Sequence, residues 1–257
     1  MISELKCYVI NLDRSKKRMS EFNEAFRGTN LKVERIAAID GNSIKIKSFS
    51  NDLECRKEMG RSIQPGEVGC FLSHKKALER FLSTDSKYAI ILEDDAIPED
   101  DFKDNIELII EKFLKNNKKT SAINLGALDF KYSSQVMHIK NNLLRCAHRF
   151  PMLATGILWT RSGADRFLEN ASTVIMPYDN FLRFLFSGTN SVFSLQPPII
   201  HSSGIESDIE ARNDSRRRST QNRSKYYFFI KQRRIFRDKF RALIALISWI
   251  LFPKSNF

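Results

Sequence analysis

Apolar residues along the chain fall into short runs divided by polar, amphipathic stretches. The run Cys7 to Leu12 predicts a buried strand, and Asn11, Asp13 and Ser15 predict a turn and cap before a charged helix over 16–27. Val33 to Ile39 predicts a second strand ending at Asp40-Gly41. From there to Ile63 the chain is polar and has no clear period. Pro65-Gly66 opens a helix whose positions Val68, Phe71, Leu72, Leu78, Phe81 and Leu82 recur at roughly helical spacing. Tyr88 to Leu92 reads as a strand that runs directly into Glu93-Asp94-Asp95. Beyond it the pattern predicts a helix over 101–114, strands at 122–125, 136–139 and 157–160, and short helices near 162–169 and 178–186. A last strand at 192–195 precedes Gln196-Pro197-Pro198. Alternating strands and helices of this kind predict an α/β sandwich with a mostly parallel sheet. There is no internal repeat.

Charge divides the chain. The formal net charge is +12, yet residues 1–211 carry 29 basic and 28 acidic side chains. Residues 212–241 hold 12 basic side chains against Asp214 and Asp238, and Lys254 supplies the rest. A near-neutral domain over 1–205 is therefore expected to continue through a polar basic linker, 206–225, into a basic tail, 226–257. The four cysteines show no CxxC spacing and read as buried thiols. No signal peptide precedes the first strand, so a reducing cytoplasm is the expected compartment.

The acidic triplet carries the most chemistry. Ligands of open α/β sheets gather at the carboxyl ends of strands, and these carboxylates end an apolar strand. Alternate residues of an extended segment face one way, so Glu93 and Asp95 are expected to point together, with Asp94 pointing elsewhere. A hard divalent cation such as Mn²⁺ or Mg²⁺ takes one or two carboxylates plus phosphate oxygens. The bland alternative is an acidic loop capping the next helix. No GxxxxGK[ST] and no GxGxxG after the first strand is present, so a nucleotide would be held by scattered groups and a metal.

Each further candidate has a plain counterpart. Arg14 and Arg18, one turn apart after the first strand, suit a diphosphate or are exposed helix charges. Asp40 can accept from a ribose or simply make a turn. His74 lies on a helix where a surface histidine is the default, and His201 is either a further metal ligand or structural. Asp179 caps a helix or acts as the general base toward an acceptor hydroxyl.

Taken in order, these segments resemble glycosyltransferase family 25, the bacterial lipooligosaccharide and lipopolysaccharide galactosyltransferase family. The resemblance rests on Tyr8-Val9-Ile10-Asn11-Leu12 with Arg14 and Arg18, on Ala38-Ile39-Asp40-Gly41, and above all on Pro65-Gly66-Glu67-Val68-Gly69-Cys70-Phe71-Leu72-Ser73-His74. Ile91-Leu92-Glu93-Asp94-Asp95-Ala96, Leu125-Gly126, Ala154-Thr155-Gly156, Ser162-Gly163-Ala164, Pro177-Tyr178-Asp179 and Ser207-Asp208-Ile209 complete it. It implies a GT-A-like nucleotide-binding sandwich, inversion at the anomeric carbon, and a UDP-hexose donor, most often UDP-galactose. On that reading Asp95 and Glu93, with His201, face the metal. Asn11, Arg14, Arg18, Asp40, Asp94 and Gly156 lie on the nucleotide and donor side, and His74 on the sugar or acceptor side. Asp179 is the preferred base and Glu67 the alternative.

Residues 226–252 read as a helix in which Lys231, Arg233, Arg234, Arg237, Lys239 and Arg241 interleave with Phe229, Ile235, Phe236 and Phe240. Its last 11 residues, 242–252, are apolar apart from Ser248, too few to cross a bilayer. This composition is that of an interfacial helix on an anionic membrane; the alternative is a helix packed on its own domain or in a dimer. A lipid-linked oligosaccharide acceptor at the inner face of the cytoplasmic membrane fits the first alternative. Nucleic acid is not an expected partner, since the rest of the chain has no basic patch. The rival to an enzyme is an inactive, membrane-associated scaffold or glycan-binding protein on the same fold.

Overall fold

The computed structural model describes residues 4–128, 131–204 and 222–252. Among the described residues ten strands are formed: β1 (Leu5–Asn11), β2 (Val33–Ala37), β3 (Tyr88–Glu93), β4 (Ala96–Pro98), β5 (Ala122–Asn124), β6 (Ser133–Ile139), β7 (Asn142–Ala147), β8 (Gly156–Thr160), β9 (Val192–Gln196) and β10 (Ile200–Ser202). The helices are α1 (Lys16–Phe26), α2 (Asp52–Met59), α3 (Pro65–Leu82), α4 (Phe102–Ile109, extended by a π turn to Leu114), α5 (Arg161–Asn170), α6 (Tyr178–Phe186) and α7 (Tyr227–Leu251).

Eight strands make one sheet in the order β2-β1-β3-β8-β5-β9-β7-β6. β1 lies parallel to β2 and β3, β5 lies parallel to β9, and β8 and β7 run against their neighbours. By strand direction the sheet is mostly parallel, as expected. β4 and β10 form a separate antiparallel ribbon.

Period-two alternation distributes the sheet side chains between two cores. Tyr8, Ile10, Ala89, Ile91 and Trp159 pack with Phe71, Phe81, Phe167 and Phe181 from α3, α5 and α6. Cys7, Val9, Ile90, Leu92 and Leu158 pack on the other face with Phe22, Phe26, Phe102 and Ile106 from α1 and α4. All four cysteines are unpaired thiols, three of them buried.

Several elements were not expected. Helix α2 occupies the stretch without a period; Asn51 caps it by accepting from the Glu54 N–H, and Gly60 ends it at φ 72°. Strand β7 pairs with β6 as a hairpin, and the β4–β10 ribbon follows the acidic triplet. The basic tail helix α7 does not stand apart from the domain. Asp238, Ala242, Ala245 and Trp249 are buried against it, and Arg237 pairs with Glu58 at 2.8 Å. Most of the expected linker, with Ser207-Asp208-Ile209, lies outside the described residues.

Candidate active site

Parallel pairing brings the carboxyl ends of β1, β2 and β3 to one edge, and antiparallel β8 begins there. Asn11, the Asp40 turn, Glu93 and Gly156 therefore meet although far apart in sequence. The acidic triplet does not stay extended. Only Glu93 belongs to β3, while Asp94 and Asp95 form the turn into β4. The expectation that Glu93 and Asp95 share one direction gives way to a fan: Glu93 faces α3, Asp94 faces α1, and Asp95 faces β10.

Asp94 is satisfied by protein. Asn11 Nδ2 donates to it at 2.6 Å, and Arg18 forms an ion pair with its other oxygen. Burial nevertheless lifts its pKa above the ordinary carboxylate range, against the pull of Asn11 and Arg18. Arg35, which sequence reasoning passed over, donates to Asn11 Oδ1 at 3.0 Å and to Asp13 at 2.6 Å. It fixes the Asn11 amide so that its NH₂ faces Asp94. Arg14 pairs with Asp40, and Asp40 also accepts from the Asn42 N–H at 3.0 Å. That turn hydrogen bond, with Arg14 beside it, holds the Asp40 carboxyl below its usual range. Asp40 is thus a turn residue that also places Arg14 at the carboxyl ends of β1 and β2.

Asp95 is different. Its Oδ2 accepts from the Ser202 hydroxyl at 2.7 Å, while its Oδ1 is buried without a hydrogen-bond partner among the described residues. Burial, then the neighbouring Glu93 charge, raise its pKa. Such an uncompensated oxygen beside a second carboxylate fits a hard divalent cation. His201, expected as a further ligand, pairs with Ile97 across the ribbon and meets Glu99 at 2.6 Å instead. Its neighbour Ser202 is the residue that reaches Asp95.

On the α3 side, His74 is buried and stacks on Tyr178 with ring centroids 3.8 Å apart. Its Nε2 lies 3.3 Å from Glu93 Oε1, so the default of a surface histidine does not apply. Cys70, one turn earlier, completes a group with His74 and Glu93 whose ligand atoms lie within 4.8 Å of one another. The i, i+4 spacing of Cys70 and His74 on a helix was the available signal.

The motif around them is shaped by close approach. A Cβ on Gly69 would sit 2.5 Å from the Ile39 carbonyl oxygen, and one on Gly41 would sit 1.6 Å from that of Pro65. Ser73 Oγ then accepts from the Ile39 N–H at 2.8 Å, locking the turn that carries Asp40 onto α3.

Asp179 lies in the first turn of α6. Its carboxyl accepts no hydrogen bond and makes no ion pair among the described residues. Burial first, then the charge of Glu93, raise its pKa to about 7 against the weaker pull of Arg183. Glu67, the alternative base, is fully engaged. It accepts from the Gln64 N–H at 2.8 Å and holds Arg61 through both oxygens at 2.8 and 2.6 Å. It is a capping and pairing residue. Gly156 packs beneath the acidic turn, where a Cβ would meet Leu92 and Ile200 at 3.2 Å.

The model of "Glycosyltransferase family 25 (LPS biosynthesis protein)" matches residues 4–182, which takes in the acidic triplet, the α3 motif and Asp179 but not Arg183 or the β10 residues Ile200, His201 and Ser202. The chain belongs to glycosyltransferase family 25. Among its curated relatives, procollagen galactosyltransferase 2 of Mus musculus is 23% identical over 192 residues, covering 70% of this chain and 30% of the relative. Inactive glycosyltransferase 25 family member 3 of Mus musculus is 28% identical over 125 residues, covering 46% and 21%. The relatives are animal proteins, where the sequence resemblance pointed to bacterial ones, and the chain spans less than a third of their length. Among solved structures, S. aureus TarS 1–349 in complex with UDP-GlcNAc is 11% identical over 81% of this chain and 60% of its own, with a TM-score of 0.44. At that score it adds nothing to the topology described above.

Proposed function

We propose that this family 25 member is an inverting hexosyltransferase, taking galactose from UDP-galactose and placing it on a lipid-linked oligosaccharide of lipopolysaccharide or lipooligosaccharide assembly. The observation that carries this reading is the convergence of two unlike carboxylate sites at one sheet edge. Asp95 keeps one buried oxygen without a partner among the described residues, beside the charge of Glu93, and suits a cation, while Asp179 is an unpaired carboxyl poised near neutrality.

A base of that pKa is matched to proton abstraction at neutral pH. Asp179 takes the proton of the acceptor hydroxyl as that oxygen attacks the anomeric carbon. The bond from that carbon to the β-phosphate oxygen breaks, its electron pair leaves with UDP, and configuration inverts. Arg14 and Arg18 lie at the nucleotide edge as diphosphate contacts, and Asn11, held by Arg35, orients Asp94. Mn²⁺ or Mg²⁺ held by Asp95 and Glu93 would supply charge that stabilises the departing UDP. His74 positions Glu93 and, through Tyr178, abuts the turn that carries Asp179.

UDP release from a panel of UDP-sugars, with and without Mn²⁺, tests the reading. Metal-dependent turnover of one donor is expected, and Asp179→Asn should lower it at least about 10²-fold while UDP binding persists. The name of the inactive mouse relative makes a binding protein or scaffold on the same fold the second reading. Metal-assisted UDP binding without turnover of any donor, even with acceptor glycolipid present, would select it.

A further inference from the structure

The tail helix α7 has two apolar faces. Successive residues advance about 100° around a helix, so Asp238, Ala242, Ala245 and Trp249 share one side, and these are the buried ones. Phe229, Phe236, Phe240, Leu243, Ile247 and Ile250 fall on the opposite side, and each is 43–70% exposed. The docked side is fixed by specific polar contacts. Arg233 donates to the Lys57 carbonyl at 2.9 Å, Arg241 to that of Phe184 at 2.7 Å, and Asn190 to that of Ala245 at 3.2 Å. The outward stripe therefore is not a core face waiting for its own domain.

We infer that this stripe is an in-plane membrane-docking surface for an anionic lipid bilayer, used while the opposite face stays on the domain. Three observations select that occupant. Twenty-five residues give a helix about 37 Å long, and no described helix is long and apolar enough to cross a membrane. Exposed Lys239 borders the stripe and exposed Arg233 lies on that side beside its contact with the Lys57 carbonyl, while the helix's sole acidic residue, Asp238, is buried on the other side. Charge around the apolar surface is thus of one sign, which suits anionic headgroups. A second copy of the chain would bring the same cations against themselves, which disfavours a symmetric dimer through this face.

The docking also reaches the site. At the start of α7, Tyr227 lies against Gly60, and the next residue, Arg61, holds Glu67 in the first turn of α3. That is the helix bearing Cys70 and His74. The inference does not depend on the transferase reading, because vesicle binding can be scored with no substrate present.

The experiment is flotation of the full chain with vesicles of phosphatidylcholine alone and of phosphatidylcholine mixed with phosphatidylglycerol. Binding to the mixed vesicles is expected, weakened by salt. The combined variant Phe236→Asp, Phe240→Asp, Ile247→Asp should lose it by about tenfold or more. These side chains are exposed, so its melting temperature should stay near that of the parent and show the docked face intact. Flotation of the variant equal to the parent would overturn the inference. So would a parent that ignores both vesicle types, or one that sediments as a dimer which the same substitutions dissolve.

Discussion

Asp179 sits where a helix would welcome a charged carboxylate, yet burial and Glu93 hold its pKa at about 7. In the unfolded chain an aspartate titrates near 3.9. Between these values the native state binds the extra proton, so this residue's stabilisation is full below about pH 4 and is lost as pH rises through 7. Burial raises Asp94 and Asp95 in the same direction, so metal-free protein should melt lower at pH 8 than at pH 5. Asp179→Asn should flatten that difference and raise the melting temperature at pH 8. A variant with an unchanged pH slope would mean that Asp179 is already ionised in the fold. At this scale the sequence was legible where a carboxylate followed an apolar strand, as Glu93 to Asp95 do. It was not legible where a role depends on who occupies the side chain. Nothing in the string of letters says that Asp94 belongs to Asn11 and Arg18 while Asp95 Oδ1 belongs to no one.

Helix α3 shows how one element carries both packing and chemistry. Its Gly69 admits the Ile39 carbonyl, its Ser73 caps the same turn, and its His74 reaches Glu93. Glu67 joins the first turn to Gln64 and Arg61, which leaves no lone carboxylate for an acceptor. Glu67→Gln should therefore cost about 1–3 kcal/mol of stability in urea unfolding, with kcat for UDP release changed only a few-fold. A loss of kcat as deep as that of Asp179→Asn, with stability retained, would restore Glu67 as the base. Helices and strands with clean periods, α3, α6 and β3 among them, lay close to where the pattern put them. Helix α2 escaped because its two buried residues, Cys55 and Met59, make too narrow a stripe to register as a period, although Asn51 and Gly60 punctuate it. The β4–β10 ribbon escaped because three-residue strands carry almost no alternation, and with it went the pairing that turns His201 toward Glu99.

For the molecule as a whole, the tail is part of the fold as well as its edge. The composition of residues 226–252 left a membrane helix and a packed helix as alternatives, because helical periodicity shows how many apolar faces exist only when their angles are separated. Here they are two, and the inward one ends on Trp249, whose ring meets His148 edge-on at 5.6 Å in the layer formed with α1 and α4. Removing that ring opens a cavity beside His148 and frees the last turns of α7. Trp249→Ala should accordingly destabilise the whole domain by about 3 kcal/mol, seen as one cooperative transition moved to lower denaturant rather than as a separate early phase. If the tail were an appendage, the main transition would stay in place and only local signals from α7 would change. A shift of the main transition with vesicle binding still present would assign the two faces separate tasks, the inward one to stability and the outward one to the bilayer. The outward residues are then free to vary in hydrophobicity at little cost to folding, whereas Ala242, Ala245 and Trp249 are held to size by the surface they fit.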